Sequence, residues 1–135
     1  MTLSRFSITL TVQPADIDAL GHVNNVVYLR WVQEVAGAHW FTVAPPEDQA
    51  GMVWVVRRHE IDYHAPAFAG DELRLSTWVG AAEGLTFERF TEIDRPADGR
   101  VLARARTLWC PLNARTGRPI RVTPELRALF SVPAA

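Results

Sequence analysis

Lysine is absent: all 14 basic residues of the chain are arginine. That bias reads first as genome composition. It is also compatible with a phosphorylated ligand, because arginine favours bidentate contacts to phosphate. A large net charge of either sign is missing too. The net charge is −1, which provides no bulk field to hold a nucleic acid. Cysteine is reduced to Cys110 alone, so no internal disulfide can form and a reducing compartment is expected. No apolar run approaches the roughly 20 residues of a membrane span. Met1 to Phe6 is polar and the next apolar residues alternate, unlike a signal peptide. The expectation is a cytoplasmic protein with neither a membrane nor a nucleic-acid partner. Repeats, low-complexity tracts and internal linkers are absent as well.

What is present suits a single domain over residues 1–135. The length allows one real core and is short for two. Phe6, Ile8, Leu10 and Val12 alternate as in a half-buried strand, which Pro14 ends. Asn24 or Asn25 suits an N-cap, and Asn25 to about Phe41 reads as helix. Arg30, Gln33, Glu34 and Gly37 form a narrow polar stripe on it. Tyr28, Leu29, Trp31, Val32, Val35, Ala36 and His39 fill most of the remaining circumference, as in a largely buried helix. Pro45 and Pro46 bar its continuation.

Four extended runs follow: Met52 to His64, Leu73 to Val79, Thr86 to Ile93 and Val101 to Cys110. In the last, Leu102, Arg104, Arg106 and Leu108 fall on one face, with Val101, Ala103, Ala105, Thr107 and Trp109 on the other. Ala69-Gly70-Asp71 and Pro96-Ala97-Asp98-Gly99 mark turns. Thr123 and Pro124 open a short final helix. Short turns between successive strands imply an antiparallel sheet. One long helix against such a sheet is an α+β layer architecture.

Chemistry concentrates in Asp16-Ile-Asp18-Ala-Leu-Gly21-His22-Val-Asn24-Asn25-Val-Val-Tyr28. Two carboxylates, a glycine, a histidine and two amides stand at the mouth of the apolar helix. A helix N-terminus offers unpaired N–H groups and partial positive charge. A carboxylate beside it makes a base next to an oxyanion site, which suits attack on a carbonyl and hence acyl transfer.

The segment from Asp16 to Tyr28 fits the pattern Asp-x-Asp-x-x-Gly-(His/Ile)-Val-x-x-x-x-Tyr. With the order of elements and the later segment IDYHAPAFAGDELRLSTWV, it resembles the hotdog-fold acyl-CoA thioesterases, in particular the 4-hydroxybenzoyl-CoA thioesterase family. The resemblance implies a curled five-stranded antiparallel sheet wrapped on one long central helix. It implies hydrolysis of an acyl-CoA thioester to free acid and coenzyme A, with no cofactor. The carboxylate three residues before the glycine, Asp18, would be catalytic, as nucleophile or general base. The backbone N–H four residues after the glycine, that of Asn25, would polarise the carbonyl. Gly21 would allow close approach or an unusual backbone angle. His22 and Tyr28 would face substrate or pack. The family's edge-to-edge pairing implies a homodimer, or a tetramer, with acyl sites at the dimer interface.

Other readings attach to the same residues. Asp16 suits a loop or cap role. Glu34 stands in for the helical glutamate of another hotdog subgroup. It lies nine residues past Asn25, about 13 Å along a helix, too remote to serve the same carbonyl within one chain. No metal set is evident, since His59 and His64 would point to opposite strand faces. Cys110 suits a small buried residue. Arg57, Arg58, Arg104 and Arg106 suit coenzyme A phosphates or solvated sheet charges. The alternatives in function are an acyl-carrier-protein thioesterase, a dehydratase recruiting His22 or His59, and a non-catalytic acyl-CoA-binding domain.

Overall fold

A computed structural model describes residues 4–131; the ends of the expected domain, 1–3 and 132–135, lie outside the described residues. Strand β1 (Phe6–Thr11) leads through a short 3-10 turn (Pro14–Asp16) to helix α1 (Asn25–Val43). Helix α2 (Pro46–Gly51) precedes β2 (Met52–Tyr63), β3 (Glu72–Glu83), β4 (Thr86–Arg95) and β5 (Arg100–Asn113), and α3 (Pro124–Leu129) follows. The five strands form one antiparallel sheet in the order β1-β3-β4-β5-β2. This is the α+β arrangement expected from the sequence.

Helix α1 forms where the amphipathic pattern predicts it. Asn24 is the N-cap, its side chain accepting from the Val26 N–H. Tyr28, Trp31 and Val35 pack into a core with Leu73 and Leu75 of β3, Ile93 of β4, and Leu102 and Ala103 of β5. A second cluster at the other end of the helix joins Trp40 and Ala44 to Val79, Phe87, Val122, Leu126 and Phe130. Arg30, Gln33 and Glu34 are exposed, as the polar stripe requires. Among the described residues, no helix is long and apolar enough to cross a membrane.

Two local differences have physical causes. Pro45 and Pro46 end α1 but also start α2, because proline without an N–H is suited to a helix's first turn. In β5, Ile93 pairs with Ala103 while Asp94 pairs with Val101, so Leu102 is the extra residue of a bulge. Strict alternation puts Leu102 on the face of Arg104; the bulge turns it inward to 0% exposure. Ala103, Ala105 and Thr107 remain buried as expected, and Cys110 is fully buried.

The buried face of α1 carries one imidazole. His39 stacks on Phe6 at 4.9 Å and accepts a hydrogen bond from Arg89 Nη1 at 3.0 Å. Burial, then the adjacent guanidinium, push its pKa from 6.5 down to about 4.

Two outcomes follow from this packing. Leu102→Ala is expected to lower unfolding free energy by about 2–5 kcal/mol, the range for a buried leucine; Leu108→Ala, only partly buried, should lose less. Urea denaturation of the pair checks this. His39 is neutral in the folded state over a range where the unfolded chain protonates it. Its contribution is therefore complete above pH 6.5 and lost as pH falls toward 4, by about 3 kcal/mol in all. His39→Gln keeps an acceptor and should flatten that part of the stability-against-pH curve.

Candidate active site

The loop before α1 is a small hairpin. Ile17 and Val23 form an antiparallel bridge. The Asp18 N–H donates to His22 C=O at 3.0 Å and the Gly21 N–H to Asp18 C=O at 3.0 Å. Gly21 has φ +88°, the left-handed angle that closes such a three-residue loop. A Cβ there would meet nothing within 4 Å, so the angle and not the space calls for glycine. Asp18 Oδ1 accepts from the Leu20 N–H at 2.9 Å, which orients a half-buried carboxylate.

Asp16 has a different task. It is 6% exposed. One carboxylate oxygen accepts from the Gln13 N–H at 2.9 Å and the other from Arg30 Nη2 at 2.8 Å. Its carbonyl accepts from the Asn24 N–H at 3.0 Å. Asp16 thus ties the end of β1 to the first turns of α1. Arg30 also pairs with Glu34 at 3.3 Å, which leaves Glu34 on the exposed stripe.

At the mouth of α1, His22, Asn25, Tyr28, Tyr63 and His64 line a concavity of about 300 Å³. Asp18 and Gly21 sit in the adjoining hairpin, outside that lining. The Asn25 N–H opens the helix and has no acceptor among the described residues. His22 Nδ1 lies 3.3 Å from the Val23 carbonyl. Tyr28 is 2% exposed and meets Tyr63 edge to face at 5.3 Å. Burial raises the pKa of both phenols, keeping them as neutral donors. Tyr63 was not singled out by the sequence. Its hydroxyl donates to the Asn25 carbonyl at 2.9 Å, so β2 clamps the first turn of the helix. Its signal is only an aromatic residue at a strand's end.

A second concavity, of about 350 Å³, lies between the C-terminal half of α1 and the sheet. Its lining includes Trp40, Trp54, Phe87, Arg89, Trp109 and Phe130. Sequence reasoning passed over Arg89. The available signal was its phase: Phe87, Arg89, Thr91 and Ile93 share the buried face of β4.

The arginines weighed for phosphate contact lie on the sheet. Arg58 pairs with Glu60, Arg104 with Glu92, and Arg106 with Glu88; Arg57 is exposed. His59 turns inward to Thr107 Oγ1 at 2.9 Å. Among the described residues, no three His, Cys, Asp or Glu side chains are grouped to hold a metal ion.

The model of the thioesterase-like superfamily matches residues 12–130. A 1,4-dihydroxy-2-naphthoyl-CoA thioesterase from Synechocystis superposes with TM-score 0.80 at 20% identity, covering 94% of this chain and 96% of that one. A mutant 4-hydroxybenzoyl-CoA thioesterase, complexed with 4-hydroxybenzoyl-CoA, gives TM-score 0.84 at 18% identity, covering 94% and 99%. A chloroplastic palmitoyl-acyl carrier protein thioesterase from Gossypium hirsutum is 26% identical over 87 residues, which are 64% of this chain. The chain spans about a fifth of that relative's length (21%). At these identities the structural likenesses speak for the fold, which is the hotdog fold expected from the sequence. The family match covers nearly the whole described chain, and on it the chain belongs to the thioesterase-like superfamily.

Proposed function

We propose that this protein is a thioester hydrolase that cleaves an acyl-CoA to free acid and coenzyme A. The observation that supports the reading is the order of features at the helix mouth: the hairpin that holds Asp18, its carboxylate oriented by the Leu20 N–H, leads directly into the acceptor-free N–H of Asn25. Membership of the thioesterase-like superfamily supports the reaction class. The CoA thioester named for the two structural relatives supports the substrate class.

In this reading the thioester oxygen accepts the Asn25 N–H, aided by the positive end of α1. Asp18 either takes a proton from the water that attacks the carbonyl carbon and passes it to the leaving sulfur, or attacks that carbon itself to give a mixed anhydride. Water then hydrolyses the anhydride to the free acid and the regenerated carboxylate, while its proton goes to the departed thiolate. The C–S bond breaks and the sulfur leaves as the thiol of coenzyme A. Gly21 sets the hairpin angle, while His22, Tyr28 and Tyr63 border the approach. Asp16 holds the loop and does no chemistry.

The active unit in this reading is a pair of chains. β2 is an edge strand whose Val53 and Val55 are 47% and 38% exposed, a surface suited to pairing with a second copy. Tyr63 at the end of that strand would carry the partner's surface next to the concavity. A carrier-protein thioester is the second reading, favoured by the name of the cotton relative. The ratio of kcat/KM on matched CoA and carrier substrates separates the two.

Asp18→Asn keeps an oxygen for the Leu20 N–H and removes only the charge. It is expected to cut kcat for thiol release at least 10²-fold, the lower range for a lost acid–base group, with little change in melting temperature. Asp16→Asn should do the reverse, lowering the melting temperature while the folded fraction turns over normally. Thiol release from a panel of acyl-CoA esters, with thermal melts of each variant, checks both. Undiminished turnover by Asp18→Asn would remove it from the mechanism, and no turnover of any thioester by wild type would remove the reading.

A further inference from the structure

The concavity at the far end of α1 contains an unbalanced charge. Arg89 is 5% exposed, the one arginine in the buried class among the described residues. A buried guanidinium ordinarily has a carboxylate beside it. Arg89 forms no ion pair with any carboxylate of the described residues, whereas Arg30, Arg74, Arg95 and Arg106, all more exposed, do. Nor does any aspartate or glutamate line the concavity.

The neutral partners of Arg89 occupy one nitrogen only. Nη1 donates to His39 Nδ1 at 3.0 Å and to Thr77 Oγ1 at 3.0 Å, which uses both of its hydrogens. The Thr77 hydroxyl donates onward to the Phe90 carbonyl at 2.8 Å, so its oxygen is fixed as an acceptor. The Phe130 ring lies 5.0 Å from the guanidinium carbon. Nε and Nη2 donate to nothing among the described residues, and neither is sealed from accessible space. The space that Arg89 borders is this concavity. Burial lowers the guanidinium pKa to about 9, so it remains charged at neutral pH. His39, held neutral, offers no counter-charge.

Nε–H and Nη2–H form the side-on fork that matches the two oxygens of a carboxylate. The same concavity is lined by Trp40, Trp54, Phe87, Trp109 and Phe130, an aromatic wall suited to an apolar body. We infer that this concavity is a binding site for a hydrophobic carboxylate, its anionic head on the free edge of Arg89 and its body against the aromatic wall. The site shares no lining residue with the helix mouth. Gln33, its nearest α1 residue to Asn25, is eight residues on, about 12 Å along the helix.

The binding stands independently of the proposed hydrolysis; only its purpose rests on that reading. The carboxylate has two possible sources: the free acid that hydrolysis releases, or the far end of an acyl group that carries its own carboxylate.

The test is calorimetric titration of the whole protein with phenylbutyrate and with phenylbutyramide, its neutral match in size. Wild type should bind the acid at least tenfold more tightly than the amide. Arg89→Gln should bring that ratio to near one and leave amide affinity within about twofold. Equal wild-type affinities for acid and amide, or no millimolar binding of either, would overturn the inference even if the variant fails to fold. A second arm compares kcat/KM for suberoyl-CoA and octanoyl-CoA. A preference for suberoyl-CoA assigns the site to the acyl terminus, and none, with acid binding intact, assigns it to free acid. Tight acid binding without any thioester turnover would sustain the site and overturn the hydrolase reading.

Discussion

A helix that is apolar over most of its circumference has to be covered on several sides, and the rest of this structure follows from covering α1. Val32 and Val35 are 0% exposed and Trp31 is 1% exposed. The sheet supplies this cover with the inner faces of β3, β4 and β5, and each fully buried side chain of this size contributes about 1.5–3 kcal/mol. Burying the flanks leaves the ends of the helix as the places where backbone polarity meets open space. The N-terminal end, with the acceptor-free N–H of Asn25, becomes the mouth where the hairpin from Asp18 to His22 docks. The C-terminal half becomes the floor of the aromatic concavity.

The two carboxylates of the opening motif stand in different surroundings. Asp16 is buried, its carboxylate accepts from the Gln13 N–H and from Arg30, and it anchors the loop to the helix. Asp18 is half-buried and uses one oxygen to accept a single backbone N–H. A fully satisfied carboxylate positions, whereas one with free acceptor capacity can react. Gly21 provides the backbone angle that folds His22 back beside Asp18.

Much of this was legible in the sequence because it rests on local rules. The α1 pattern, the Asn24 cap, the antiparallel turns and the Thr123-Pro124 helix start are short-range signals, and each element formed where it was read. The loop and cap role of Asp16 was also legible, since its spacing before the helix suits one. What escaped depends on tertiary context. The bulge that buries Leu102 is a register event between β4 and β5, invisible in either strand alone. Tyr63 matters because β2 returns it to the first turn of α1. Arg89 looked like one more sheet arginine, and only its phase with Phe87 and Ile93 hinted that it points inward. Its isolation from acid is a property of the packed cluster with His39 and Thr77.

The central claim is that the mouth of α1 receives the thioester carbonyl. The most direct measurement is a crystal structure of the Asp18→Asn protein soaked with an acyl-CoA that wild type cleaves. The account predicts the thioester oxygen within about 3 Å of the Asn25 backbone nitrogen, a hydrogen-bond distance, with the carbonyl carbon facing the side chain at position 18. A thioester bound with its carbonyl away from the Asn25 N–H would contradict it.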